Sequence, residues 1–245
     1  MNTITLEQPG RFVLSDTPLP SSPGPGEALI RIRRVGICGT DIHAYGGDQP
    51  YFTYPRILGH ELGVEVLEVG PGVSNVKAGD RCAVEPYLNC GRCIACRKGK
   101  PNCCADLKVL GVHTDGGMRE RILVPAGKLH PSETLNLDQL AMVETLGIGA
   151  HAVVRAEIKS GENVLVMGAG PIGLSVVQFA TLAGARVVVA DLNESRLAFC
   201  REMYPVETTN GCSEVQLREM AWGDLPTTVF DATGSPKSME AASIM

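Results

Sequence analysis

The chain has 245 residues, 44% of them hydrophobic, with 22 basic and 27 acidic side chains and a formal charge of −5. That length suits one large domain or two ordinary ones. The acidic balance, with no basic stripe, argues against a nucleic-acid partner. The opening MNTITLEQPG lacks the charged head and apolar run of a secretory leader, and no apolar stretch is long enough to span a bilayer, so a cytoplasmic protein without a membrane partner is expected.

In chain order, the first half reads as β-rich. EALIRIRRVGIC and LGVEVLEVG alternate as strands, DRCAVEP and MRERILVPAG add two more, and SSPGPGE is a loop by composition. Between these pieces lies CGRCIACRKGKPNCC, which holds five of the nine cysteines. A reducing compartment and an odd thiol count disfavour a disulfide knot. A redox C-x-x-C would need a strand–helix setting, which this loop lacks. Cys90, Cys93, Cys96 and Cys104 instead give C-x2-C-x2-C-x7-C, a spacing that lets one loop wrap a tetrahedral Zn2+ with sulfurs at ~2.3 Å. Cys103 is the rival for the fourth place. Four thiolates close the shell, so such a site is structural, and Arg92, Arg97, Lys98 and Lys100 can screen its surplus negative charge.

From Leu137 the texture becomes helical, LDQLAMVETLGIGAHAVVRAEI, with Asp138 in the N-cap region. NVLVMGAGPIGLSVVQFATLAGARVVVADLNESRLAFC then alternates strand, glycine turn, helix, strand and helix, the mark of a parallel sheet. A weaker unit follows, a helix over Ser213–Ala221 and the strand TTVFDATG. This predicts an α/β protein with a β-rich domain over 1–150 and a doubly wound domain over 151–245. About four parallel strands can be drawn where such sheets usually have six, so the chain reads as C-terminally incomplete.

Gly168-Ala169-Gly170-Pro171-Ile172-Gly173 matches G-x-G-x-x-G between a strand and a helix, the context that makes the pattern specific. Gly168 permits the turn, Gly170 admits a pyrophosphate to the backbone, and Gly173 allows close packing, with the helix N-terminus facing the phosphates. Asp191, at the end of RVVVAD, can accept the ribose hydroxyls of NAD and would repel the extra phosphate of NADP. Arg196 nearby argues the other way, since a guanidinium can hold that phosphate.

VGICGTDIH, GHELGVEVLEVG, GDRCAVEP, the cysteine lobe and GAGPIG, in this order, resemble the zinc-dependent medium-chain dehydrogenases of the alcohol dehydrogenase superfamily. VETLGIGAHA is similar to the sorbitol and threonine dehydrogenase branch. The resemblance implies a GroES-like catalytic domain followed by a Rossmann-type sheet, one catalytic and one structural zinc, and NAD. It implies that Cys38 and His60 hold the catalytic metal, with Glu61 or Glu144, or both through water, completing the shell. Thr40 would pass the substrate hydroxyl proton towards the cofactor ribose and His43, which hands it to solvent, and Asp41 would orient the loop or a ligand. The expected reaction is oxidation of a secondary hydroxyl on a polyol, sugar acid or similar small molecule, in a cleft between domains of a homo-oligomer. Thr145 departs from the proline many relatives place after this glutamate. Two alternatives stand beside this reading: an NADP-linked reductase of the same family, and a zinc- and nucleotide-binding protein with little turnover because sheet strands are missing.

The other candidates take plainer roles. His113 and His130 are expected at the surface or hydrogen-bonded, and His151 packed. Cys82, Cys200 and Cys212 are expected as small buried groups. Trp222 receives no role.

Overall fold

A computed structural model describes residues 1–211, 213–220 and 223–243. Cys212, Trp222 and the end of the helix expected over Ser213–Ala221 lie outside the described residues. The chain divides into two compact units, Met1–Glu144 and Thr145–Met245.

The first unit runs β1 (Asn2–Gln8), β2 (Arg11–Asp16), β3 (Glu27–Gly36), α1 (Gly39–Gly46), β4 (Glu61–Val69), β5 (Arg81–Val84), β6 (Tyr87–Leu88), α2 (Ile94–Arg97), β7 (Lys108–Val109), β8 (Arg121–Pro125) and β9 (Leu129–Pro131). Its main sheet is antiparallel in the order β8-β3-β4-β5-β9, with β1-β2 and β6-β7 as separate two-stranded ribbons. Alternation decides which faces are inside: Ala28 and Ile30 on β3, Val64 and Val66 on β4, and Ile122 and Val124 on β8 share one core. The β1-β2 hairpin escapes the sequence reading because it is half-exposed. Ile4, Phe12 and Leu14 are exposed and Leu6 is its one fully buried apolar side chain, so no continuous buried face marks it.

Helix α3 (Leu137–Arg155) carries the point of division. Its cap is Asn136 rather than the Asp138 region. The Asn136 Oδ1 accepts the Gln139 N–H at 2.9 Å while the Gln139 Oε1 accepts the Asn136 N–H at 3.0 Å. Asp138, in the first turn, instead pairs with Arg34. The reciprocal Asn–Gln box satisfies two orphan donors, which a lone aspartate cannot do.

The second unit runs β10 (Asn163–Met167), α4 (Pro171–Leu182), β11 (Arg186–Ala190), α5 (Glu194–Met203), β12 (Glu207–Thr209), α6 (Glu214–Glu219), β13 (Thr228–Asp231) and α7 (Pro236–Ala242). The strands are parallel in the order β12-β11-β10-β13, which is 3-2-1-4 within the unit and matches the first four of a doubly wound sheet. Val164 and Val166 face one apolar cluster and Leu165 and Met167 the other, as expected of a strand covered on both faces. No described helix is long and apolar enough to cross a membrane.

Candidate active site and metal centres

Cys38 caps the short helix α1, and the Asp41 Oδ2 accepts its N–H at 2.9 Å. This places the Cys38 sulfur where β3 ends. Glu61 begins β4 and His60 immediately precedes it, and β4 pairs with β3 in a register that sets Gly36 opposite Glu61. The pairing therefore delivers three donors to one point: the ligand atoms of Cys38, His60 and Glu61 all lie within 4.8 Å of one another. A side chain at Gly36 would destroy this, since a Cβ there would come within 2.1 Å of the Glu61 Oε2.

The cluster is dry. Asp41 is 3% exposed, His60 6% and Glu61 9%. The His60 Nδ1 stands 3.8 Å from the Asp41 Oδ1, and neither atom has a hydrogen-bond partner. Burial raises the Asp41 pKa, against the opposing pull of the Cys38 N–H and of His60. Burial alone would lower the His60 pKa, but Cys38, Asp41 and Glu144 outweigh it and the net shift is upward. Sulfur, imidazole and carboxylate converging in a buried site is the donor chemistry of an open zinc centre. The buried Asp41 Oδ1 and His60 Nδ1 lack partners, and a cation bound by this cluster would favour the ionised carboxylate and the neutral imidazole.

Glu144 stands outside that cluster. The Tyr87 hydroxyl donates to its Oε1 at 2.5 Å, and burial, the largest influence, raises its pKa. Tyr87 was not singled out in the sequence, where a tyrosine in a short β stretch reads only as a strand former. Thr40 is half-buried on α1, and His43, one turn further, is exposed with its Nδ1 3.8 Å from the Asp48 Oδ2. Thr145 is buried.

Cys90, Cys93, Cys96 and Cys104 form a second group, their sulfurs mutually within 4.8 Å. Cys103 is exposed and takes no part. Backbone N–H groups point at the sulfurs: Cys93 donates to the Cys90 Sγ at 3.4 Å, and Cys90 and Asp106 to the Cys104 Sγ at 3.3 and 3.4 Å. Such donors favour thiolate. Cys93 is brought down to about 6 by the Cys96 and Ala105 N–H groups, whereas at Cys104 the Cys90 and Asp106 N–H groups are outweighed by burial and the neighbouring Cys90 and Cys96 thiols, which push it up to about 11. The four sulfurs fit a closed zinc cage. No described cysteine is in a disulfide.

In the second unit, Gly168 adopts φ +95, open only to glycine without strain, and a Cβ at Gly173 would meet the Gly168 carbonyl oxygen at 1.7 Å. Nothing lies within 4 Å of the Cβ position at Gly170, so that side of the loop is open. Pro171 opens α4, and Ile172 follows, partly exposed. Asp191 directly follows β11; its two oxygens accept the Ala169 and Asn193 N–H groups, each at 2.7 Å, and Arg196 lies 3.6 Å away. Burial would raise its pKa, but these partners prevail and hold it below the ordinary range. Arg196 remains mostly solvated.

Elsewhere, His113 and His130 are exposed, the former accepting the Val109 N–H and the latter 3.5 Å from Glu85. Cys82 and Cys200 are fully buried. His151 does not pack as expected: it lies on the exposed side of α3, and Val153 is the residue there that enters the core.

The chain matches the alcohol dehydrogenase GroES-like domain over residues 24–134 and the zinc-binding dehydrogenase family over residues 171–244. It is 44% identical to L-galactonate-5-dehydrogenase of Escherichia coli K12, across 98% of this chain and 71% of the relative. An alcohol dehydrogenase from Escherichia coli CFT073 solved with NADH superposes with a TM-score of 0.89 at 34% identity, covering 100% of this chain and 72% of the other. A structure described as a zinc-binding dehydrogenase from Sinorhizobium meliloti 1021 with NADP gives 0.89 at 31% identity, covering 99% and 72%. The chain belongs to the zinc-dependent medium-chain dehydrogenase family, and it is an oxidoreductase of zinc and a nicotinamide cofactor.

Proposed function

We propose that the protein transfers hydride from a secondary hydroxyl of a sugar acid or polyol to NAD, at the cluster of Cys38, His60 and Glu61. The convergence of those donors within 4.8 Å carries this reading. The sugar-acid class rests on the likeness to L-galactonate-5-dehydrogenase.

When bound, zinc supplies Lewis acidity towards an alcohol oxygen, and the nicotinamide supplies the hydride acceptor. Cys38, His60 and Glu61 hold the metal, while Asp41, facing the His60 Nδ1, keeps that imidazole oriented. The Thr40 hydroxyl takes the substrate's hydroxyl proton as it gives up its own towards the cofactor ribose and His43, whose exposed imidazole hands a proton to water. Gly168, Gly170, Pro171, Ile172 and Gly173 cradle the cofactor phosphates at the N-terminus of α4, and Asp191 takes the adenosine ribose. Cys90, Cys93, Cys96 and Cys104 hold the second zinc, which does no chemistry. A boundary between catalytic and cofactor domains near residue 150 accompanies this assignment.

NADP is the second reading, because solvated Arg196 can turn from Asp191 to a 2′-phosphate. The test is NAD(P) reduction by the metal-replete protein with a panel of aldonates and polyols, alongside zinc per chain. Zinc near two equivalents with NAD turnover on an aldonate or polyol is expected. One equivalent, or turnover on primary alcohols alone, would overturn the assignment.

A further inference from the structure

Glu144 is an acidic side chain beside a metal-type cluster that it does not join. Its Oε1 is taken by the Tyr87 hydroxyl at 2.5 Å, while Cys38, His60 and Glu61 converge without it. Tyr87 sits on β6, a two-residue strand whose partner across the ribbon is Val109. The strand is fastened at both flanks by one ammonium: the Lys128 Nζ donates to Glu85 before it and to the Asn89 Oδ1 after it, the latter at 2.9 Å. Asn89 in turn reaches the Cys96 sulfur at 3.6 Å. The phenol is thus held in place by the sheet on one side and the cysteine lobe on the other.

We propose that Tyr87 is a positioning residue that keeps Glu144 out of the metal's donor set, so that Cys38, His60 and Glu61 alone serve as protein ligands. This rests on the metal assignment made above. A fourth protein donor would close the shell, and a closed shell has no place for substrate. A carboxylate that is hydrogen-bonded by a fixed phenol must give up that bond to move inward. A hydrogen bond to a charged group is worth about tenfold or more in an equilibrium, which is enough to bias the carboxylate between two positions.

The experiment titrates Co2+ into the full chain carrying one zinc equivalent, reading affinity and the visible absorption bands of the metal. Tyr87→Phe keeps the ring and removes the hydroxyl. It is expected to bind Co2+ about tenfold more tightly with altered bands, as Glu144 joins the shell, and to gain nothing further in a Glu144→Gln background. Glu144→Gln alone should weaken Co2+ binding by about tenfold or more through the lost negative charge nearby, and should leave the absorption bands unchanged because the donor set is the same. Unchanged affinity and bands in Tyr87→Phe would overturn the proposal, as would the same change persisting with Glu144→Gln. Altered bands on Glu144→Gln alone would also overturn it, by making Glu144 a ligand. If the parent takes up no Co2+ with a thiolate charge-transfer band, the metal assignment falls together with the inference; if it does and only the Tyr87 arm fails, the assignment stands.

Discussion

Single atoms decide whether this site exists. Gly36 is the clearest case, since its missing Cβ is the space the Glu61 carboxylate occupies. Gly36→Ala is expected to lower bound zinc from two equivalents towards one and to cut turnover at least about tenfold, the scale for losing a positioned ligand contact. Metal analysis beside a melting curve checks it, and loss of both metals would point to misfolding instead. Thr40→Ala should lower kcat by about 10²–10⁴, the range for a proton-transfer group, with zinc content unchanged. Steady-state kinetics at saturating NAD read that outcome. The four cage cysteines stand out in the sequence because their spacing is that of a metal loop, whereas Cys38 and His60, set far apart in ordinary strand contexts, are singled out only by the family resemblance. Gly36 and Tyr87 are marked by neither, because each matters through a neighbour that only strand pairing brings near.

Elements explain the rest of what was legible. Strands β3, β4, β5 and β8 announce themselves because each buries alternate residues in one core. Strands β10 and β11 do so as continuous apolar runs, Val164–Met167 and Val187–Ala190. The ribbon β6-β7 is too short for any period to register, yet it carries Tyr87. Asp191 belongs at this scale too, since its carboxylate staples the end of β11 to the glycine loop through the Ala169 N–H. Asp191→Ala is expected to weaken NAD binding about tenfold or more, the value of a hydrogen bond to a charged group, and to narrow the preference for NAD over NADP. Paired titrations with the two cofactors measure it. An unchanged ratio would remove Asp191 from the ribose site.

For the molecule as a whole, the buried titrating groups set where stability fails. Burial pushes the Cys82 thiol from 9.0 up to about 11. A thiol raised by folding stays neutral in the native state while the unfolded chain ionises. Its contribution is therefore complete below the unfolded value and is lost as pH rises from 9.0 towards about 11. Cys82→Ala should flatten the decline in unfolding midpoint across that window, which denaturant titrations at several pH values would show. Asp191 works in the opposite sense. Its depressed pKa contributes stability above the unfolded value of about 3.9, and that is lost as acid protonates the folded carboxylate. Acid melting of the glycine loop before the main antiparallel sheet, followed by hydrogen exchange, is the expected order. The division into a sheet of antiparallel strands and one of parallel strands was readable from the switch in period near Leu137. How α3 is capped was not, because Asn136 and Gln139 flank the start of the apolar pattern.

The cysteine lobe is threaded between the two shortest strands of the first unit, and no strand of the main sheet passes through residues 90–104. Its sulfurs are its internal core, for it contributes almost no apolar side chain to the clusters beneath. Stripping its ion with a chelator should accordingly liquefy this appendage while leaving the sheet's amides protected. The slackening would run down the Asn89–Lys128 tether to the phenol, so that an ion that takes no part in the reaction would still govern how sharply the reacting one is framed.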